Sequence, residues 1–210
     1  GTAPATVEQE VYIVAKQDKT RLLDKILTDT RGSVLVFMRT KHTTKRLTRA
    51  VRAMGHTVAE LHSNRSLAQR REALEGFKAG KYRVLVATDI AARGIDVRGI
   101  ELVVIYDLPG QAEDYVHRIG RTGRAGQTGR AISFAMPDQR SDIRAIERLI
   151  RMSLRVSALP TLPAERPRVF EPREERSPMR PARHTGRPAP AAGGFANRHR
   201  RRPPRFRRGR

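Results

Sequence analysis

The chain of 210 residues contains no cysteine and no tryptophan, and aromatic side chains make up only 5% of it. Without cysteine there can be no disulfide, no thiolate zinc site and no cysteine nucleophile. The six histidines, at positions 42, 56, 62, 117, 184 and 199, show no ligand-like spacing, so no metal centre is predicted. No run of about 18 apolar residues occurs, so no membrane span is expected. The opening GTAPATVEQE lacks the basic-then-apolar pattern of a secretory signal. Acidic residues are also scarce. Asp and Glu total 21 against 43 Lys and Arg, a net charge of +22. Such an excess argues against an enzyme of small metabolites and for a polyanionic partner, nucleic acid ahead of an anionic membrane.

Half of that charge lies in one place. Residues 163–210 hold 15 Arg, 9 Pro and no Lys, with Glu165, Glu171, Glu174 and Glu175 as their acids. Large apolar side chains are few there, so the segment cannot bury enough surface to offset its ordering entropy and is predicted to be disordered. The division predicted is a linker over 1–6, a domain over 7–155 and a basic tail over 156–210.

Ahead of the tail, short apolar and β-branched runs alternate with helix-like segments. Strands are predicted at 11–14, 34–37, 58–61, 84–87, 102–106 and 131–136, and helices at 19–28, 42–54, 66–79, 111–119 and 139–152. Strands this apolar, separated by amphipathic helices, imply an α/β domain with a parallel sheet covered on both faces. Ligands in such folds bind where strand C-termini turn into helices. Two stretches fall at such turns. RVLVATDIAARGIDV (83–97) is a buried strand ending in polar Thr88 and Asp89, and YVHRIGRTGRAG (115–126) places Arg118, Arg121 and Arg124 every third residue among glycines. Three guanidinium groups this close repel one another, and an anion is the natural counterpart.

Together, ATDIAARGID and YVHRIGRTGR resemble motifs V and VI of the DEAD-box helicases. VLVFMRT (34–40) resembles motif IV, and HSNRSLAQRREAL (62–74) the segment between IV and V. The order and spacing match over about residues 7–155. The resemblance implies the second RecA-like domain of an ATP-dependent RNA helicase. The sequence contains no GxxxxGK[ST] loop, no Asp-Glu-Ala-Asp and no Ser-Ala-Thr motif. In the family those sit in a first RecA-like domain, which holds ATP and magnesium. The fragment alone is therefore expected to be inactive as an ATPase, its partners being RNA and that N-terminal domain, in a cytoplasmic setting.

By the same resemblance, Arg121 and Arg124 are the catalytic arginines that reach the β- and γ-phosphates, and Asp96 accepts a hydrogen bond from the ATP ribose. Thr40, Arg70, Thr88 and the Gly94 amide region contact the RNA backbone, while His117 and Asp89 couple the two domains. Arg118 is read differently, as a bridge to an internal carboxylate such as Asp89 or Asp114. Two departures stand out. Leu67 occupies a place where Gln is common, and His62-Ser63-Asn64 replaces the family's His-Gly-Asp. A competing reading is a nucleic-acid-binding or annealing module that acts through the tail without ATP.

The tail reading carries a test. NRHRRRPPRFRRGR (197–210) has eight arginines and one aromatic, Phe206, in its last 13 residues, a composition that binds nucleic acid through counterion release and stacking. Deleting 163–210 is expected to weaken RNA binding and flatten its salt dependence, read by titration at several salt concentrations; unchanged affinity would rule the tether out.

Overall fold

The computed structural model describes residues 7–92, 97, 99–123 and 128–165. They belong to one compact unit. Seven strands, β1 (Val7–Ile13), β2 (Val34–Met38), β3 (Val58–Leu61), β4 (Val84–Thr88), β5 (Leu102–Ile105), β6 (Gly129–Ala135) and β7 (Arg155–Ser157), form a single sheet in the order β3-β4-β2-β5-β6-β1-β7. Every pairing is parallel. Six α-helices connect them: α1 (Lys19–Asp29), α2 (Lys41–Ala53), α3 (Leu67–Lys78), α4 (Asp89–Ala92), α5 (Ala112–Ile119) and α6 (Arg140–Ile150).

The alternation of strand side chains builds a separate core on each face. Leu35, Phe37, Leu85, Ala87, Val103 and Ile105 point to one side, where α3, α5 and α6 cover them through Phe77, Tyr115, Ile119 and Ile146. Val34, Val36, Val84, Val86, Leu102 and Val104 point to the other, against Leu22, Leu23 and Leu27 of α1 and Leu47 and Val51 of α2. Because both faces are buried, the central strands are apolar throughout rather than alternating. The RecA-like α/β arrangement with helices on both faces is therefore as the motifs imply.

Helix starts follow local chemistry. Ser66 caps α3 and forms a reciprocal capping box with Gln69, while the Thr40 hydroxyl accepts from the Thr43 amide at 3.2 Å to cap α2. Burial pushes the Tyr115 phenol up to about 12, and its hydroxyl donates to Gln9 at 2.9 Å, tying α5 to β1.

Two elements lie beyond the sequence pattern. Helix α4 is a single turn formed on small residues, too short to leave a periodicity. Strand β7 has three residues, two of them exposed, and so carries no apolar signature. Its position also moves the domain boundary. The predicted border at 155/156 falls inside β7, and packing continues to Pro163, whose carbonyl accepts from Arg21 Nε at 2.7 Å. The rest of the tail and residues 1–6 lie outside the described residues.

Candidate functional site

Strands β4, β2 and β5 are neighbours, and their C-terminal ends bring three polar loops to one edge. Thr88 ends β4 and Asp89 opens α4, Arg39-Thr40 follows β2 and Tyr106-Asp107 follows β5. Beneath them lies α5. Its Tyr115, Arg118 and Ile119 are spaced i, i+3, i+4 and face inward. The opposite face leaves His117 exposed, with Arg121 half-buried just past the helix end.

Arg118 is 2% exposed, yet its charge is fully answered. Nε and Nη2 donate to the two carboxylate oxygens of Asp89, both at 2.6 Å, and Nη1 donates to the Asp107 carbonyl at 2.5 Å. The Phe37 ring centroid lies 5.4 Å from Cζ, adding a cation–π contact. A buried cation survives only when paired and hydrogen-bonded in this way, and the planar fork of Arg suits a carboxylate bidentately. Arg118 is therefore part of the framework. Asp89, predicted to couple domains, directs its carboxylate inward; any coupling it exerts runs through Arg118 and α5.

Asp107 extends the same network. Lys19, 4% exposed, reaches its Oδ1 at 3.3 Å and the Tyr106 carbonyl at 2.9 Å. The Arg39 amide donates to Asp107 Oδ2 at 3.3 Å, and Arg39 Nη2 donates to the Leu108 carbonyl at 3.0 Å. One aspartate thus fixes the ends of β2 and β5 against α1. None of Asp107, Lys19 or Arg39 is singled out by the sequence motifs, although a polar residue directly after a buried strand, the same signal that flags Thr88-Asp89, marks Asp107.

A cavity of about 190 Å³ opens beside this framework, lined by Phe37, Asp89, Ala92, Asp114, His117, Arg118 and Arg121. Arg121 Nε donates to the His117 carbonyl at 3.2 Å, which holds the stem of its side chain over α5. The loop beyond is anchored by Thr122, buried, whose hydroxyl donates to the Ile100 carbonyl at 2.5 Å. Gly123 has φ of 65°, and Gly129 at the start of β6 packs so closely that a Cβ there would sit 2.3 Å from the Gly123 amide nitrogen. Thr122 and Gly129 are positioning residues that the motifs alone do not reveal.

Thr40, Thr88 and Arg70 share the same edge. Met38 is in register with Thr88, so Thr40, two residues on, lies at the adjoining strand end. Arg70 Nη2 donates to the Ala91 carbonyl at 3.5 Å, drawing α3 toward α4. Nearby, Lys41 Nζ donates to Asn64 Oδ1 at 3.1 Å, and the buried His62 accepts from the Asn64 amide at 3.2 Å. Burial pushes the His62 imidazole below its ordinary range, partly offset by Glu60, which is itself paired with Arg65. Leu67, in the place where Gln is common, is 75% exposed. Gly94, Asp96 and Arg124, expected to contact RNA, the ribose and the phosphates, lie outside the described residues.

An all-parallel sheet with helices on both faces, and an arginine-bearing turn at its C-terminal edge, fit a RecA-like α/β domain. The helicase conserved C-terminal domain is matched over residues 18–126. The chain belongs to that family, in its DEAD-box branch. The ATP-dependent RNA helicase DBP2 of Lodderomyces elongisporus is 48% identical over 136 residues, covering 63% of this chain and 25% of its own length. The E. coli DEAD-box protein SrmB, solved bound to regulator of ribonuclease activity A, superposes with a TM-score of 0.70 at 30% identity, covering 77% of this chain and 100% of that one. Dbp5 of S. cerevisiae, solved with RNA and ADP BeF3, gives a TM-score of 0.68 at 33% identity, covering 73% of this chain and 42% of that one. The chain spans between 25% and 40% of the length of the curated relatives it matches.

Two substitutions test the framework. Asp89→Ala strands a sealed guanidinium and is expected to cost about 3–5 kcal/mol. Arg118→Met leaves a carboxylate that is 28% exposed and keeps some water, and is expected to cost less. Urea denaturation checks the order. Gly129→Ala forces a methyl into the backbone of the 122–123 turn; a loss of about 1–3 kcal/mol is expected, with amide shifts at Thr122 and Gly123 in NMR spectra.

Proposed function

We propose that this chain is the second RecA-like domain of an ATP-dependent RNA helicase, completing an ATP site whose phosphate-binding half lies outside these 210 residues. The observation that carries the reading is the unequal exposure of residues lining one cavity: Arg118 gives its guanidinium to Asp89 and is buried, while His117 is exposed and Arg121 half-exposed. Spacing alone makes the arginines equivalent; burial separates a sealed one from one that stays half-exposed at the cavity.

The cavity suits one side of a nucleotide rather than the whole of it. Two carboxylates line it, which would repel phosphate, but Asp89 is neutralised by Arg118. On this reading Arg121, with Arg124, meets the β- and γ-phosphates through a planar, permanently charged fork. Asp96 accepts from a ribose hydroxyl, chemistry a carboxylate performs and phosphate would not tolerate. Magnesium is held by the other domain. ATP, when bound, would supply the phosphoryl group to be transferred; closure of the cleft comes first, because only then do the arginines stand against the charge that develops on that group. His117 makes polar contact across the cleft, and Asp89 acts through Arg118 to set the angle of α5.

Thr40, Arg70, Thr88 and Gly94 form the RNA side. A hydroxyl, a guanidinium and backbone amides position a sugar-phosphate strand without reading its bases, which fits separation of short duplexes irrespective of sequence. Dbp5, similar to this chain in fold, was solved bound to RNA and ADP BeF3, which supports a reading that includes both ligands.

RNA-stimulated ATPase assays test this. The 210 residues alone are expected to show no turnover, and joining them to their phosphate-binding half is expected to restore it. In the joined protein Arg121→Ala should lower kcat by about 10³–10⁵ with RNA affinity kept. Turnover by the 210 residues alone would overturn the division between domains. An Arg121→Ala protein as active as its parent would remove Arg121 from the ATP site, and a joined protein that anneals RNA without any ATP turnover would favour ATP-independent action through the tail.

A further inference from the structure

Helix α2 carries Lys41, His42, Lys45, Arg46, Arg49 and Arg52 and no acidic residue. Its buried positions, Thr44, Leu47, Thr48 and Val51, form a narrow strip against the sheet. Lys41, Lys45, Arg49 and Arg52 are spaced i, i+4, i+8 and i+11, which places them in one row along the helix beside that strip. Like charges three and four residues apart repel and weaken a helix. Lys45 and Arg52 have no hydrogen bond or ion pair within the domain among the described residues. Of the acids on adjoining elements, Asp29 pairs with Lys25 and Glu60 with Arg65, which leaves Lys45 and Arg52 without a carboxylate among the described residues.

The row begins beside Thr40, the cap of α2. Lys41, its first member, is held by Asn64, an amide that fixes the ammonium group and leaves its charge intact. A carboxylate at 64, as the family pattern has there, would neutralise it. The row also lacks what a protein partner requires. No large apolar or aromatic side chain is exposed on α2, so there is no anchor for a desolvated interface. A straight line of cations about 16 Å long matches a repeating anion.

We propose that the Lys41–Lys45–Arg49–Arg52 row is a second track for the RNA backbone, carrying the strand onward from Thr40 along α2. The track rests on the reading of Thr40, Arg70 and Thr88 as RNA contacts. Its contribution is electrostatic and independent of base sequence, and is felt most at low salt. Asn64 tunes it by holding Lys41 without setting an opposite charge against it.

The test uses the full chain and a single-stranded uridine homopolymer, with affinity measured across salt concentrations. Removing two phosphate contacts with Lys45→Gln and Arg52→Gln together is expected to reduce the log–log salt slope by about 1.4, at roughly 0.7 per contact on a single strand. The charge-preserving pair Lys45→Arg and Arg52→Lys should keep the parent slope. Asn64→Asp, which alters no residue of α2, should weaken binding at low salt. Thermal stability of the glutamine pair should equal or exceed the parent's, since repulsion is relieved. An unchanged slope in the glutamine pair overturns the track. If Thr40→Val and Arg70→Gln weaken binding in that case, the RNA face stands without the track; if they too change nothing, the RNA face falls with it. Loss of polyglutamate binding in the glutamine pair, with the RNA slope intact, would overturn the track and assign the row to an acidic protein.

Discussion

The bidentate pair between Arg118 and Asp89 is the contact on which the rest of the site depends. A guanidinium in the interior is tolerable only with its charge and its N–H groups answered, and here a carboxylate, a carbonyl and an aromatic face answer them. Those three partners come from β2, β4 and the segment after β5. One side chain of α5 therefore fixes that helix to three strand ends at once. The angle at which α5 meets the sheet sets where His117 and Arg121 stand, so the geometry of the outward face is inherited from a buried one.

Asp107 performs the matching task on the other side of the edge. It joins the end of β5 to Lys19 of α1 and to the Arg39 backbone, and its own carbonyl receives Arg118. The loop that starts α2 and the turn that carries Arg121 thus belong to one hydrogen-bonded framework. On the proposed reading these are the RNA side and the nucleotide side of the domain. A rigid connection between them is what a machine needs if filling one site is to be felt at the other.

Much of the architecture was legible in the residues themselves. VLVFM, VLVA and LVVI are apolar at every position, which only strands buried on both faces require, and the helices between them keep a clear stripe. The short elements were not legible. Strand β7 is exposed at Arg155 and Val156 and depends on β1 for its existence, and α4 is four residues long. Within the site, the regular spacing of Arg118, Arg121 and Arg124 hides a difference that only burial reveals. Asp107 and Gly129 escape notice because their importance comes from neighbours distant in sequence: Lys19 lies 88 positions from Asp107, and Gly129 matters for the turn it presses against.

The strand order has a consequence for how the chain reaches this state. β1 precedes the other strands of this domain in sequence, yet among the described residues it pairs with β6 and β7, the last two. During synthesis it must wait, unpaired, while more than a hundred residues emerge, and a waiting strand invites association with other chains. Its sequence, VEQEVYI, meets that hazard: Glu8 and Glu10 interrupt the apolar positions and keep the solitary strand soluble. In the finished sheet Glu10 takes up partners on both sides, Arg130 of β6 and Ser157 of β7. Burial alone would raise its carboxyl pKa, but these hydrogen bonds and the Arg130 charge hold it below the usual carboxylate range. The same carboxylate guards the strand before folding and clasps it afterwards.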